Sequence, residues 1–106
     1  DFGNFCIRSK PNKLSSWGGL DGCALEYDKY KGVKEMLPYA KSVSAKSLNF
    51  DKEGNSIEID FYKMMKIVKT FGYNGCISIE YEGTSHSEEE GINLTKDLMI
   101  KAWNQA

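Results

Sequence analysis

Two charged residues stand where two predicted strands end, and their placement is the first chemical lead in the chain. Between Ser42 and Leu48, Val43 and Ala45 fall on one face, while Ser42, Ser44 and Lys46 fall on the other. Between Cys76 and Glu82, Ile77, Ile79 and Tyr81 share a face, and Cys76, Ser78, Glu80 and Glu82 oppose them. Strand side chains alternate strictly, so each segment offers an apolar face to helices and a small or charged face to something else. Parallel strands covered on both sides read as apolar throughout, and these do not. Lys46 and Glu80 both come late in their strands, at the carboxyl end where parallel α/β sheets bind ligands. Burying a lysine or glutamate there is costly unless it is paired or set at a solvated mouth. The residues alone leave two readings open: a ligand site, or a Lys46–Glu80 ion pair that plugs the sheet.

Other reactive side chains carry weaker signals. Cys6, Cys23 and Cys76 are an odd number without Cys-x-x-Cys spacing, and His86 is the one histidine. A zinc cage needs four Cys or His ligands at short spacing, and a closed disulfide framework needs an even count. The expectation is therefore free, partly buried thiols in a reducing compartment, and a cytoplasmic location. His86 lies in a loop with no second ligand at helix or strand spacing. Ser87-Glu88-Glu89-Glu90 reads as a capping box with carboxylates at the positive end of a helix dipole, not as a metal site. Gly18-Gly19-Leu20-Asp21-Gly22 lacks the strand-before, helix-after setting of a phosphate loop, and the sequon Asn93-Leu94-Thr95 falls inside a predicted helix. Tyr27, Tyr30, Tyr39, Tyr62 and Tyr73 lie on or beside helices, as packing or surface residues and not as a stacking platform.

The elements that position these residues follow from periodicity. A loop covers 6–27, rich in Pro11, Ser15, Ser16, Gly18, Gly19 and Gly22. Asp28 caps a helix over 28–41, in which Val33, Met36, Leu37 and Ala40 repeat at i, i+3, i+4, i+7 and Pro38 forces a kink or stop near Leu37. A strand over 42–48 leads to a turn at Asp51-Lys52-Glu53-Gly54-Asn55. Asp60 caps a helix over 60–72 with the stripe Phe61, Met64, Met65, Val68 and Phe71, and Gly72 ends it. After the Asn74-Gly75 turn comes a strand over 76–82. The last helix, over 87–104, buries Ile92, Thr95, Leu98, Met99, Ala102 and Trp103. Helix and strand alternate with no hairpin signal, which argues for parallel βα units in an α/β fold.

Composition sets the outer bounds. A chain of 106 residues builds one core and no more. Hydrophobic residues at 41% and charged residues at 27% are those of an ordinary soluble protein. Lys+Arg of 14 against Asp+Glu of 15 leaves a net charge of -1, so there is no basic field for nucleic acid and no polybasic patch for a membrane surface. No run approaches the roughly 18 apolar residues that span a bilayer, and no apolar signal-peptide core lies near the start.

Five motifs in order carry a family resemblance: Asp1-Phe2-Gly3-Asn4-Phe5, Val43-Ser44-Ala45-Lys46, Asp51-Lys52-Glu53-Gly54-Asn55, Ile79-Glu80-Tyr81-Glu82-Gly83 and Ser87-Glu88-Glu89-Glu90-Gly91. Together they resemble the sugar phosphate isomerase/epimerase family, in the xylose-isomerase-like superfamily that also holds endonuclease-IV-type enzymes. The resemblance extends from Asp1 to the final helix. It implies a TIM-type (β/α)₈ barrel, which needs about 250 residues. The chain is then expected to be the carboxyl-terminal part of such a barrel, about strands six to eight, cut from something longer, with residues 1–5 ending the sixth strand.

The resemblance also implies a divalent metal (manganese, magnesium, cobalt or zinc) that polarises the carbonyl and hydroxyl of a small sugar or sugar phosphate while a proton moves beside the carbonyl. Carried over residue by residue, Asp1 and Glu80 are the metal ligands. Ser44 stands where a histidine ligand is normal, and a hydroxyl is the poorer ligand. Glu80 and Lys46 are the catalytic candidates, while Lys46, Glu82 and Asn4 contact the substrate, Lys46 through a phosphate or carboxylate. Two alternatives stand beside this reading. An endonuclease-type hydrolase of the same superfamily would need clustered Lys and Arg that the chain lacks. A non-catalytic fragment would self-associate into a homo-oligomer through its exposed sheet edges.

Overall fold

A computed structural model describes residues 1–11 and 22–106. The glycine-rich stretch lies outside the described residues except for Gly22. Strands β1 (Cys6–Ser9) and β2 (Cys23–Glu26) form an antiparallel pair. Helix α1 (Lys29–Met36) runs on into a 3₁₀ turn, Leu37–Tyr39, whose second residue is Pro38. Strand β3 (Val43–Ser47), helix α2 (Phe61–Phe71), strand β4 (Ile77–Tyr81) and helix α3 (Glu88–Gln105) complete the order.

This arrangement overturns the barrel-fragment expectation. The described strands make two separate two-stranded sheets, β1–β2 antiparallel and β3–β4 parallel. A hairpin occupies the segment read as loop, and residues 1–5 are not a strand. The chain is a small α/β domain with one βαβ unit and an appended hairpin. The free-thiol expectation falls with it, because Cys6 and Cys23 form a disulfide across the hairpin and only Cys76 is free among the described residues. Among the described residues, no helix is long and apolar enough to cross a membrane.

The βαβ unit is built around α2. Asp60 accepts a hydrogen bond from the Lys63 N–H at its start, and Gly72 closes it with φ of 83°, a left-handed conformation that suits glycine. Phe61, Met64, Met65 and Val68 are buried in one core with Val43 and Ala45 of β3 and Leu98 and Ala102 of α3. Each large apolar side chain so buried contributes about 1.5–3 kcal/mol. Helix α3 begins with a complete capping box of Ser87 and Glu90. Its far end is held by Lys69, whose Nζ donates to the carbonyls of Trp103 and Ala106 at 3.0 and 3.2 Å, a cation on the negative end of the dipole. Inside the joint, Ser47 Oγ and Thr95 Oγ1 lie 2.6 Å apart, and Thr95 also donates to the Gly91 carbonyl at 2.7 Å.

Residues 1–5 lie against this unit without forming a ladder. The Phe2 N–H donates to the Ser44 carbonyl at 3.1 Å, and the buried Phe2 ring meets Phe61 edge to face at 5.8 Å. Phe2 thus locks the start of the described chain to the side of β3.

Candidate functional site

In β3 and β4, residues pair Ser44 with Ser78 and Lys46 with Glu80. With period-two alternation, these four share the face opposite Val43 and Ala45. Lys46 is 1% exposed, so its ammonium must be fully partnered. Its Nζ lies 2.8 Å from a Glu82 carboxylate oxygen and 3.9 Å from one of Glu80, and it donates to Asn4 Oδ1 at 2.9 Å. Ser44 Oγ donates to the other Glu80 oxygen at 2.9 Å. Glu80 and Glu82 keep 35% and 32% of their side-chain surface open, so the cluster is buried at its cation and wet at its carboxylates.

Backbone geometry makes room for the lysine. A Cβ on Gly3 would lie 2.8 Å from Lys46 Cδ, so the stem runs where only glycine lets it pass. Asn4 follows directly, which delivers its amide to the ammonium.

The sequence-predicted residues divide into two groups. Lys46, Glu80, Glu82, Asn4 and Ser44 come together in one network. Asp1 lies beside this network: its amino group feels the charges of Glu80 and Lys46, while its Oδ1 accepts from the Gly3 N–H at 2.6 Å. Two residues that sequence reasoning passed over lie in the loop after β3. Glu58 accepts from both the Asn49 N–H (3.1 Å) and the Asn49 amide (2.6 Å), and Ser85, after β4, donates to Asn49 Oδ1 at 3.3 Å. The one available signal was position, since loops after parallel strands hold ligand-binding residues. His86 meets the Phe50 ring edge to face, and among the described residues its buried Nδ1 has no hydrogen-bond partner.

The metal implied by the resemblance does not fit these residues. Among the described residues, no three His, Cys, Asp or Glu side chains group closely enough to hold an ion. Glu80 already faces the Lys46 ammonium, and Ser44 spends its proton on Glu80. A divalent cation there would sit beside a fixed positive charge in a partly desolvated setting.

Two carboxylates elsewhere are held below their ordinary range. Asp28 is lowered first by the Lys31 backbone N–H, as the cap of α1, and Asp51 first by the Asn55 N–H in its turn. Both are local turn chemistry remote from the Lys46 network. No protein-family model matches the chain, and no curated protein matches it.

Proposed function

We propose that the polar face of β3 and β4 serves proton transfer next to the carbonyl of a sugar, as in an isomerase or epimerase. The observation that carries this reading is the asymmetry of the cluster: a cation 1% exposed beneath two carboxylates that still reach water. Glu80 is the candidate base. Ser44 fixes one of its oxygens, and its open edge is free to take a proton from the carbon beside a carbonyl. The proton lost from that carbon leaves an enediolate. Returning it to the neighbouring carbon, as the hydroxyl proton passes from one oxygen to the other, gives the isomer, and returning it to the opposite face of the same carbon gives the epimer. A positioned acid or base contributes about 10²–10⁴-fold to such a step.

Lys46, enclosed as it is, acts through the carboxylates it holds and is a positioning residue. Glu82 and Asn4 complete the polar floor. Incubation with aldoses, ketoses and their phosphates in D₂O, read by proton NMR, should show deuterium entering beside the carbonyl, with the exchange lost in Glu80→Gln. No exchange above buffer on any of these compounds would overturn the proposal.

A second reading has its own support, since Glu80, Glu82 and Asn4 around Lys46 are what a purely structural plug requires. In that case Glu80→Gln and Glu82→Gln alter stability alone, and no sugar perturbs either residue.

A further inference from the structure

We propose that two copies of this chain pair antiparallel along the outer edge of β4, about a two-fold axis through Ile79. The Cys76 carbonyl accepts from the Val43 N–H, and the Glu82 N–H donates to the Ser47 carbonyl. Backbone groups alternate sides along a strand, so the N–H and C=O of Ile77, Ile79 and Tyr81 point away from β3. Among the described residues β4 pairs with β3 alone, which leaves that edge a template for another strand. The opposite edge of the sheet is partly covered, because Phe2 bonds to Ser44.

The occupant follows from the edge's own pattern. Centring the axis on Ile79 sets Ile79 against Ile79, and Ile77 against Tyr81 of the second copy. These are the residues whose backbone groups face outward, so each pair exchanges both of its hydrogen bonds and no outward group of the strand is left over. A shift of the axis by one residue leaves Tyr81 unmatched in one direction and Ile77 in the other. The same register places Glu80 opposite Ser78 of the second copy and Glu82 opposite its Cys76. Every carboxylate therefore meets an uncharged residue, and like charges never oppose. This edge is self-complementary in hydrogen bonding and opposes no like charges, as an isologous interface requires.

Apolar surface lies beside the same edge. A groove of about 340 Å³ at the amino end of β4 is lined by Tyr73, Ile77, Met99, Ile100 and Trp103. Ile100 is 49% exposed, and a strand added to β4 would shelter part of this surface. Pairing would also join the two polar faces, with a Ser78 hydroxyl of one copy set beside the Glu80 of the other.

The native Cys76 thiol is exposed and supplies the probe. Each Cys76 lies three residues from the axis on opposite sides, a backbone separation of about 20 Å at the rise of an extended strand. Spin labels on Cys76 of the otherwise unaltered chain should give one dipolar distance near that value, broadened by the label arms. Sedimentation equilibrium should give a dimer at tens of micromolar. Ser78→Glu, which opposes two carboxylates at both ends of the pairing, should weaken the dimer by about tenfold, and Ser78→Lys should tighten it by a similar factor. Circular dichroism establishes that each variant is folded, and the Cys76 distance needs no variant at all. A monomer mass throughout, a Cys76 distance far from the predicted one, or equal dimerisation in both Ser78 variants would each overturn the proposal. Association with a different polypeptide in place of a second copy would do the same.

Discussion

Lys46→Met tests how the cluster is held, because it keeps the length of the stem and removes the ammonium with its charge and its donors. The methionine still runs past Gly3, so lost packing adds little. The interactions lost include an ion pair at 2.8 Å to Glu82, a longer one at 3.9 Å to Glu80 and a hydrogen bond to Asn4 at 2.9 Å. Removing one partner of a fully buried pair costs about 3–5 kcal/mol, because the other charge is stranded. Here Glu80 and Glu82 retain 35% and 32% of their side-chain exposure and regain water in part. The expected loss is therefore about 2–3 kcal/mol, between the buried and the exposed limits. For a domain of this size that is roughly 10–20 °C in Tm. Urea titration followed by far-UV circular dichroism measures it. The matching control is Lys46→Met with Glu80→Gln and Glu82→Gln, which removes the stranded charges and should recover about half of the loss. A loss below about 0.5 kcal/mol, or no recovery in the triple variant, would refute the reasoning.

Three further outcomes follow from the same geometry. Thr95→Val strands the Ser47 hydroxyl inside the joint between β3 and α3, and should cost about 1–3 kcal/mol in the same urea assay. Thiol titration of the denatured, unreduced protein should find Cys76 alone reactive, and prior reduction should add Cys6 and Cys23; hydrogen exchange should then show the hairpin loosened while the α2 core stays protected. Asp28 and Asp51 have folded pKa values below their unfolded ones, so their stabilisation is present above the ordinary carboxylate range and is lost as pH falls through the depressed values. Asp28→Asn and Asp51→Asn should accordingly flatten the decline of stability from about pH 5 to about pH 2, measured by urea titration at each pH.

The parts of the structure legible in the sequence are those governed by short-range periodicity. The alternation in Val43-Ser44-Ala45-Lys46 and Ile77-Ser78-Ile79-Glu80 already assigns Lys46 and Glu80 to polar faces, and the parallel register then sets them directly opposite. Ser87 and Glu90 announce the start of α3 because a capping box is local chemistry. The hairpin was not legible. Its strands have four residues each, their register slips on either side of Arg8, and their connection is too long for a turn signal to link them. The disulfide escaped for a related reason. Parity speaks of a framework that uses every cysteine, whereas one pair and one free thiol use three.

The barrel expectation failed where tertiary pairing decides. Phe2 gives β3 a single backbone bond and a buried ring in place of a ladder. Gly3, which clears the path for Lys46, and the Asn49–Glu58 pair depend on how distant backbones approach, which spacing does not encode.

The most direct test of the central claim is a titration of the uniformly labelled protein with aldoses and ketoses, followed by NMR of backbone amides and side-chain carboxylates. Shifts should gather at Glu80, Glu82, Asn4 and Ser44 and saturate, with the Glu80 carboxylate moving most. Shifts confined to other surfaces, or none at these four residues at the highest sugar concentration, would contradict the account.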